Sequence, residues 1–236
     1  MLKYAIKRIL LMIPTLLAVA VIVFLVLRVV PGDIVELKLT AEGGEVSLEQ
    51  IEAEKTRLGL NDPLHVQFIK YMSGLPRGDL GISLWTEEPV SAEIAARIGL
   101  SFELALLSTI LAVIIAFPLG TLSALFRGTI LDYIRTARAK GLYEKIVIVK
   151  HGMRNALLPT VTVIGLEFAF LLGGLVVTES VFNLNGIGKL FVDSVVRNDL
   201  NLLQGLVLTV ATAFVVVNLL IDLFYAALDP RIRYQS

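Results

Sequence analysis

The sequence contains no cysteine and only two histidines, His65 and His151. Without thiols there is no disulfide framework, thiolate zinc site, iron–sulfur cluster or cysteine nucleophile. Two histidines cannot build a histidine-rich metal site. Charge is scarce as well. Charged residues are 18% of the chain, against about 25% in an average domain, and 21 basic residues balance 21 acidic ones. That balance gives no electrostatic footprint for nucleic acid. A phosphate-binding loop is also lacking: Gly186-Ile-Gly188-Lys189 has neither the upstream glycine nor the following Ser or Thr. What is abundant is apolar. Apolar residues make up 56% of the chain and the mean hydropathy is +0.80. Disorder, collagen and coiled coil are excluded on these values, and a membrane protein is indicated.

Four long stretches carry almost no charge: Ile9 to Leu27, Leu104 to Phe126, Ala156 to Thr178 with Glu167 inside it, and Leu200 to Ile221. A helix needs about 20 apolar residues to cross about 30 Å of hydrocarbon, and only an element that satisfies its own backbone can do so. The first stretch is too long for a signal-peptide core and no small-residue cleavage site follows it. Segment 31–100 holds 12 acidic and 6 basic residues, whereas 127–155 holds 7 basic and 2 acidic ones. Basic segments stay cytoplasmic. Both termini and 127–155 are therefore expected inside, and 31–100 and 179–199 outside. The two histidines are then expected on opposite sides of the membrane, and no Ser/His/Asp catalytic set is expected.

The expected fold is all-α: a polytopic integral membrane protein with four transmembrane helices, a partly helical external segment and a cytoplasmic loop. The expected organisation is an N-terminal transmembrane helix over 1–30, an external segment over 31–100, a transmembrane domain over 101–228 and a tail over 229–236. Ser47 to Gln50 reads as a capping box with Val46 and Ile51 as a staple, starting a helix over Leu48 to Leu58. Residues 64–73 read as a second helix with Val66, Ile69 and Met72 on one face. Gly74, Pro76, Gly78 and Gly81 mark turns. This segment is read either as a cap over the membrane domain or as a docking surface for an external partner.

Within 127–155, residues 131–140 and 142–151 read as two helical runs broken at Gly141. Small residues at Ala137, Ala139 and Gly141 leave room for close approach by another surface; the alternative is a solvated basic loop. Glu167 lies mid-span, where an ionisable group is a functional candidate facing a cavity or a partner, or else a structural hydrogen bond. Asp222, near the end of the fourth span, is expected to pair with a tail arginine. Gly165 and Gly173-Gly174 suit close helix packing.

The string Asp132-Tyr-Ile-Arg-Thr-Ala-Arg-Ala-Lys-Gly-Leu142, followed by His151-Gly-Met-Arg-Asn-Ala-Leu-Leu-Pro159, closely resembles the cytoplasmic coupling loop of ABC-transporter importer permeases of the dipeptide/oligopeptide/nickel family. Pro31-Gly-Asp33, Gly78-Asp-Leu-Gly81 with Ser83, Glu179-Ser-Val-Phe182 with Gly186-Ile-Gly188, and Asp229-Pro-Arg-Ile-Arg-Tyr234 agree with the same pattern. The family loop begins Glu-Ala-Ala and reaches its glycine three residues later. Here Arg135, Thr136 and Ala137 take the first places, Arg138, Ala139 and Lys140 follow, and Gly141 is the glycine. Met153 and Arg154 stand where the general motif has Leu-Pro.

The resemblance implies a permease subunit that forms the path for peptides, nickel complexes or similar solutes. It implies a second homologous permease, two cytoplasmic ATPase subunits that bind ATP-Mg, and an external solute-binding protein, in the inner membrane. The chain itself would bind no cofactor or metal and carry no catalytic residue. The implied coupling residues are Arg135, Thr136, Ala137, Arg138, Ala139, Lys140, Gly141, His151 and Arg154, with Glu167 as the candidate path residue. The family pattern carries two further spans, which would take on the order of 50–80 residues; here the pattern breaks between Arg127 and Asp132. Two rival readings follow: a truncated, non-transporting or regulatory permease-like protein, and an ion-gradient-driven transporter coupled through Glu167.

Overall fold

The computed structural model describes residues 2–29, 34–41, 47–126 and 153–228. Among them the chain is helical, with one isolated bridge between Ile82 and Pro89. The helices are α1 (Leu2–Val29), α2 (Ile34–Ala41), α3 (Leu48–Arg57), α4 (Leu64–Gly74), α5 (Val90–Phe126), α6 (Met153–Gly174), α7 (Val176–Val181), α8 (Ile187–Val196) and α9 (Leu200–Leu228), with a 3₁₀ turn at Leu75–Arg77. Four segments are long and apolar enough to span a membrane: Ala5–Arg28, Val90–Gly120, Thr160–Val181 and Leu200–Tyr225. They are the four expected from sequence.

Two details differ from expectation. The second span is part of a 37-residue helix that begins at Val90 rather than near Leu104. Glu93 and Arg97 explain the extension. They pair at i,i+4 (2.5 Å) and continue the helix into polar sequence. The third span is not one uninterrupted helix. It stops at Gly174 and resumes at Val176, consistent with the poor helix propensity of Gly173-Gly174.

The chain divides into two compact units. One comprises 1–9, 102–172 and 214–236; the other comprises 10–101 and 173–213. Inside the first, Gly165 of α6 packs directly on α9: a methyl group added there would lie 2.5 Å from Ile221 Cδ1. Phe102 meets Phe168 edge-on at 5.6 Å. Asp222 is paired, as expected, but its partner is Arg8 of α1 at 2.8 Å. The tail arginines lie outside the described residues.

Inside the second unit one core joins Val90 and Ile94 of α5, Ile187 and Leu190 of α8, and Leu202 and Leu206 of α9. A smaller one joins Val35, Ile51 and Leu84. The capping box at Ser47 and Gln50 is formed in both directions. Ile51 is buried, while its staple partner Val46 lies outside the described residues. The inward face of α4 is not the one expected. Phe68 and Tyr71 pack on Phe24 of α1 at 5.2 and 6.0 Å, and Ile69 is exposed. Two aromatic rings bury more area than Ile69 can, so they set the rotation of the helix.

Candidate functional site

The second unit is tied together by two buried carboxylates. Glu179 lies in α7 and is fully buried. Ser101 Oγ of α5 donates to its Oε1 at 2.6 Å, and the Lys189 backbone N–H donates to its Oε2 at 2.9 Å. Ser101 Oγ in turn accepts the Ile187 N–H at 2.8 Å. The carboxylate thus sits at the N-terminus of α8, where unpaired amides and the helix dipole favour negative charge. Glycine makes the approach possible. A Cβ at Gly186 would overlap the Glu179 carboxyl, and one at Gly188 would come within 2.7 Å of the Val176 backbone.

Asp199 is the second carboxylate, also buried. Its Oδ1 accepts the Leu202 N–H at 3.0 Å and caps α9. Its Oδ2 accepts Ser83 Oγ at 2.5 Å and the Leu84 N–H at 3.0 Å. The turn at 83–86 is thereby fixed to the start of the fourth span. Trp85 closes the same joint: its indole N–H donates to the Arg197 carbonyl at 2.7 Å, and the Arg197 guanidinium lies 5.7 Å from the ring centroid. A pocket of about 120 Å³ opens here, lined by Trp85, Arg97, Asp193 and Arg197 among others.

A surface tie adds α2 and α3. Glu87 accepts Lys38 Nζ at 2.9 Å and an Arg57 nitrogen at 3.0 Å. The hydrogen bond from Lys38, then that from Arg57, hold the Glu87 carboxyl below its ordinary range. A carboxyl whose pKa is lowered by folding adds stability above its unfolded pKa, and loses it as pH falls through the folded value. Protease sensitivity of segment 34–41 is therefore expected to rise as pH falls below the ordinary carboxylate range. Glu87→Gln should show the same sensitivity already at pH 7. Equal digestion of both proteins at pH 7 would remove Glu87 from this role.

Tyr71 hydroxyl, Gln67 Oε1 and Gln204 Nε2 are buried without a hydrogen-bond partner among the described residues. Burial raises the Tyr71 phenol above its ordinary range, and the neighbouring Gln204 amide offsets part of the rise. Among the described residues no group of three or more His, Asp or Glu side chains could hold a metal ion.

The coupling residues read from sequence are placed differently. Arg135, Thr136, Ala137, Arg138, Ala139, Lys140, Gly141 and His151 lie outside the described residues, and Arg154 is in the first turn of α6. Glu167 stands on an exposed face of α6 with no partner among the described residues. Glu179 was visible in the sequence only as part of a family-like stretch, and Asp199 not at all.

The family model for the binding-protein-dependent transport system inner membrane component matches residues 4–234. The chain belongs to this family. It is a permease subunit of an ABC importer, a multi-pass inner-membrane component. Among curated proteins, this permease is 36% identical to the glutathione transport system permease protein GsiC of Salmonella paratyphi A, 37% to that of Pectobacterium atrosepticum and 35% to that of Escherichia coli K12. Each comparison covers 100% of both chains over 309 aligned positions. The permease has 236 residues, so at least 73 of those 309 positions hold none of them. That number of positions is the size of two spans with their connector, on the order of 50–80 residues.

Proposed function

We propose that this permease carries peptide-class cargo inward, driven by ATP-Mg at two cytoplasmic ATPase subunits. It pairs with a second permease and receives cargo from an external solute-binding protein. Both termini and residues 127–155 face the cytoplasm, because basic residues concentrate there. Arg135 to Gly141, with His151 and Arg154, form the coupling segment that enters the ATPase. The carboxylate-tied unit around Glu179 and Asp199 then faces outward, where the binding protein docks. ATP and the loaded binding protein can drive the cycle because each favours one of two membrane-domain states.

The supporting observation is the family match from end to end, with relatives named for glutathione transport. Glutathione is itself a small peptide. The test is reconstitution of all subunits in proteoliposomes. Peptide uptake should require ATP, ATPases and loaded binding protein together. Gly141→Trp should cut ATPase co-purification several-fold while membrane insertion stays intact, because a close contact has no room for an indole. Wild-type ATPase yield from that variant would reject the docking assignment. Uptake driven by a proton gradient without ATPases would replace this reading with ion-coupled transport through Glu167.

The 73 unfilled positions favour one second reading: a shortened permease that assembles without transporting. A complete complex that hydrolyses ATP yet moves no peptide would establish it.

A further inference from the structure

The two sides of α6 differ in chemistry. Gly165, Phe168 and Ala169 form the packed side, with Gly165 against Ile221 and Phe168 against Phe102. Val163, Leu166, Glu167 and Phe170 recur at i, i+3, i+4 and i+7 and form one exposed stripe. Val163 is 59% exposed and Phe170 73%, and Glu167 between them is exposed as well. The Glu167 carboxylate makes no hydrogen bond or ion pair among the described residues. It lies seven residues into the span that begins at Thr160, about 10 Å along the helix axis.

A carboxylate at that depth cannot rest in hydrocarbon, so this stripe faces water or a counter-charge. Two surroundings qualify: a partner helix packed against the stripe, or an aqueous path. Helices that pack closely in membranes do so through small residues. On the described part of α6 Gly165 and Ala169 lie on the packed side, and the stripe continues to a small exposed residue only at Thr160, seven residues before Glu167. Around Glu167 the stripe is bulky, with Val163, Leu166 and Phe170, and does not favour close helix packing. An apolar wall with one polar group is also the usual composition of a small-molecule site.

We propose that the Glu167 stripe of α6 lines the conduction path and that the Glu167 carboxylate is the counter-ion for the cargo's free ammonium group. The assignment rests on the peptide reading above, since a peptide supplies an N-terminal ammonium. The carboxylate holds that group by a charge-assisted hydrogen bond, and the bulky stripe meets the apolar parts of the cargo.

The absence of cysteine makes a direct test available. In the reconstituted complex, Glu167→Cys places a single thiol in this chain, and the wild-type chain is the blank. A membrane-impermeant trimethylammonium methanethiosulfonate reagent should label it, read as the mass of this subunit. Uptake of trialanine and N-acetyl-trialanine supplies the second readout. Wild type should favour the free amine by about ten-fold or more, as loss of a hydrogen bond to a charged group predicts. Glu167→Gln should abolish that preference with subunit yield unchanged.

An unlabelled thiol overturns the path assignment. If Glu167→Gln also sheds the second permease, the stripe is a subunit contact. Labelling with an unchanged preference for the free amine overturns the counter-ion role while uptake itself stands. Labelling with no uptake of either peptide by wild type overturns the counter-ion role together with the peptide reading.

Discussion

Glu179→Ala is expected to lower the thermal midpoint of the subunit by about 10 °C. The substitution removes the acceptor for Ser101 Oγ, which is buried, and for the Lys189 N–H, which is partly buried. It also empties the volume that Gly186 and Gly188 leave for the carboxylate. Stranded donors and a cavity together cost roughly 3–5 kcal/mol. For a protein of this size that is a fall of about 10 °C in midpoint. Glu179→Gln keeps one oxygen acceptor and should lose less than half as much. Thermal unfolding of the detergent-purified subunit gives the comparison. An alanine variant with the wild-type midpoint would show that the carboxylate does not hold α7, α5 and α8 together.

Asp199→Ala should have a similar cost and a different signature. Three donors lose their acceptor, the Leu202 amide, Ser83 Oγ and the Leu84 amide, and the Trp85 amide loses a longer contact at 3.4 Å. The first is a helix cap, worth about 0.5–2 kcal/mol alone; the two others add roughly 1–3 kcal/mol each. Hydrogen exchange should therefore accelerate at two places far apart in sequence, the first turn of α9 and the turn at 83–86, with α3 and α4 unaffected. Exchange that rises only at Leu202 would reduce Asp199 to a helix cap. On the docking proposed above, the variant should lose delivery from the binding protein before it loses ATPase association, because residues 83–86 and 197–199 share one joint.

Local signals in the sequence were sufficient for local structure. The four spans, the Ser47–Gln50 cap and the turns after Gly74 follow from composition and spacing. The face of α4 was misread because the period counts Ile69 and Phe68 as equally apolar, whereas the aromatic contact with Phe24 decides the rotation. The carboxylate ties were not legible at all. Ser101 and Glu179 are 78 residues apart, and Ser83 and Asp199 are 116. No period or cap signal spans such distances. Glu167 was legible as a charge in a span, but its place on a bulky, exposed stripe needed the helix packing to be known.

Those separations also order the events of synthesis. Ribosomes add about 5–20 residues per second, so Ser83 emerges several seconds before the aspartate that fixes it. Through that interval the turn at 83–86 stands with its closing partner still untranslated. The later stretch therefore locks the earlier one, and a chain stalled anywhere before residue 199 presents an open joint to quality-control proteases.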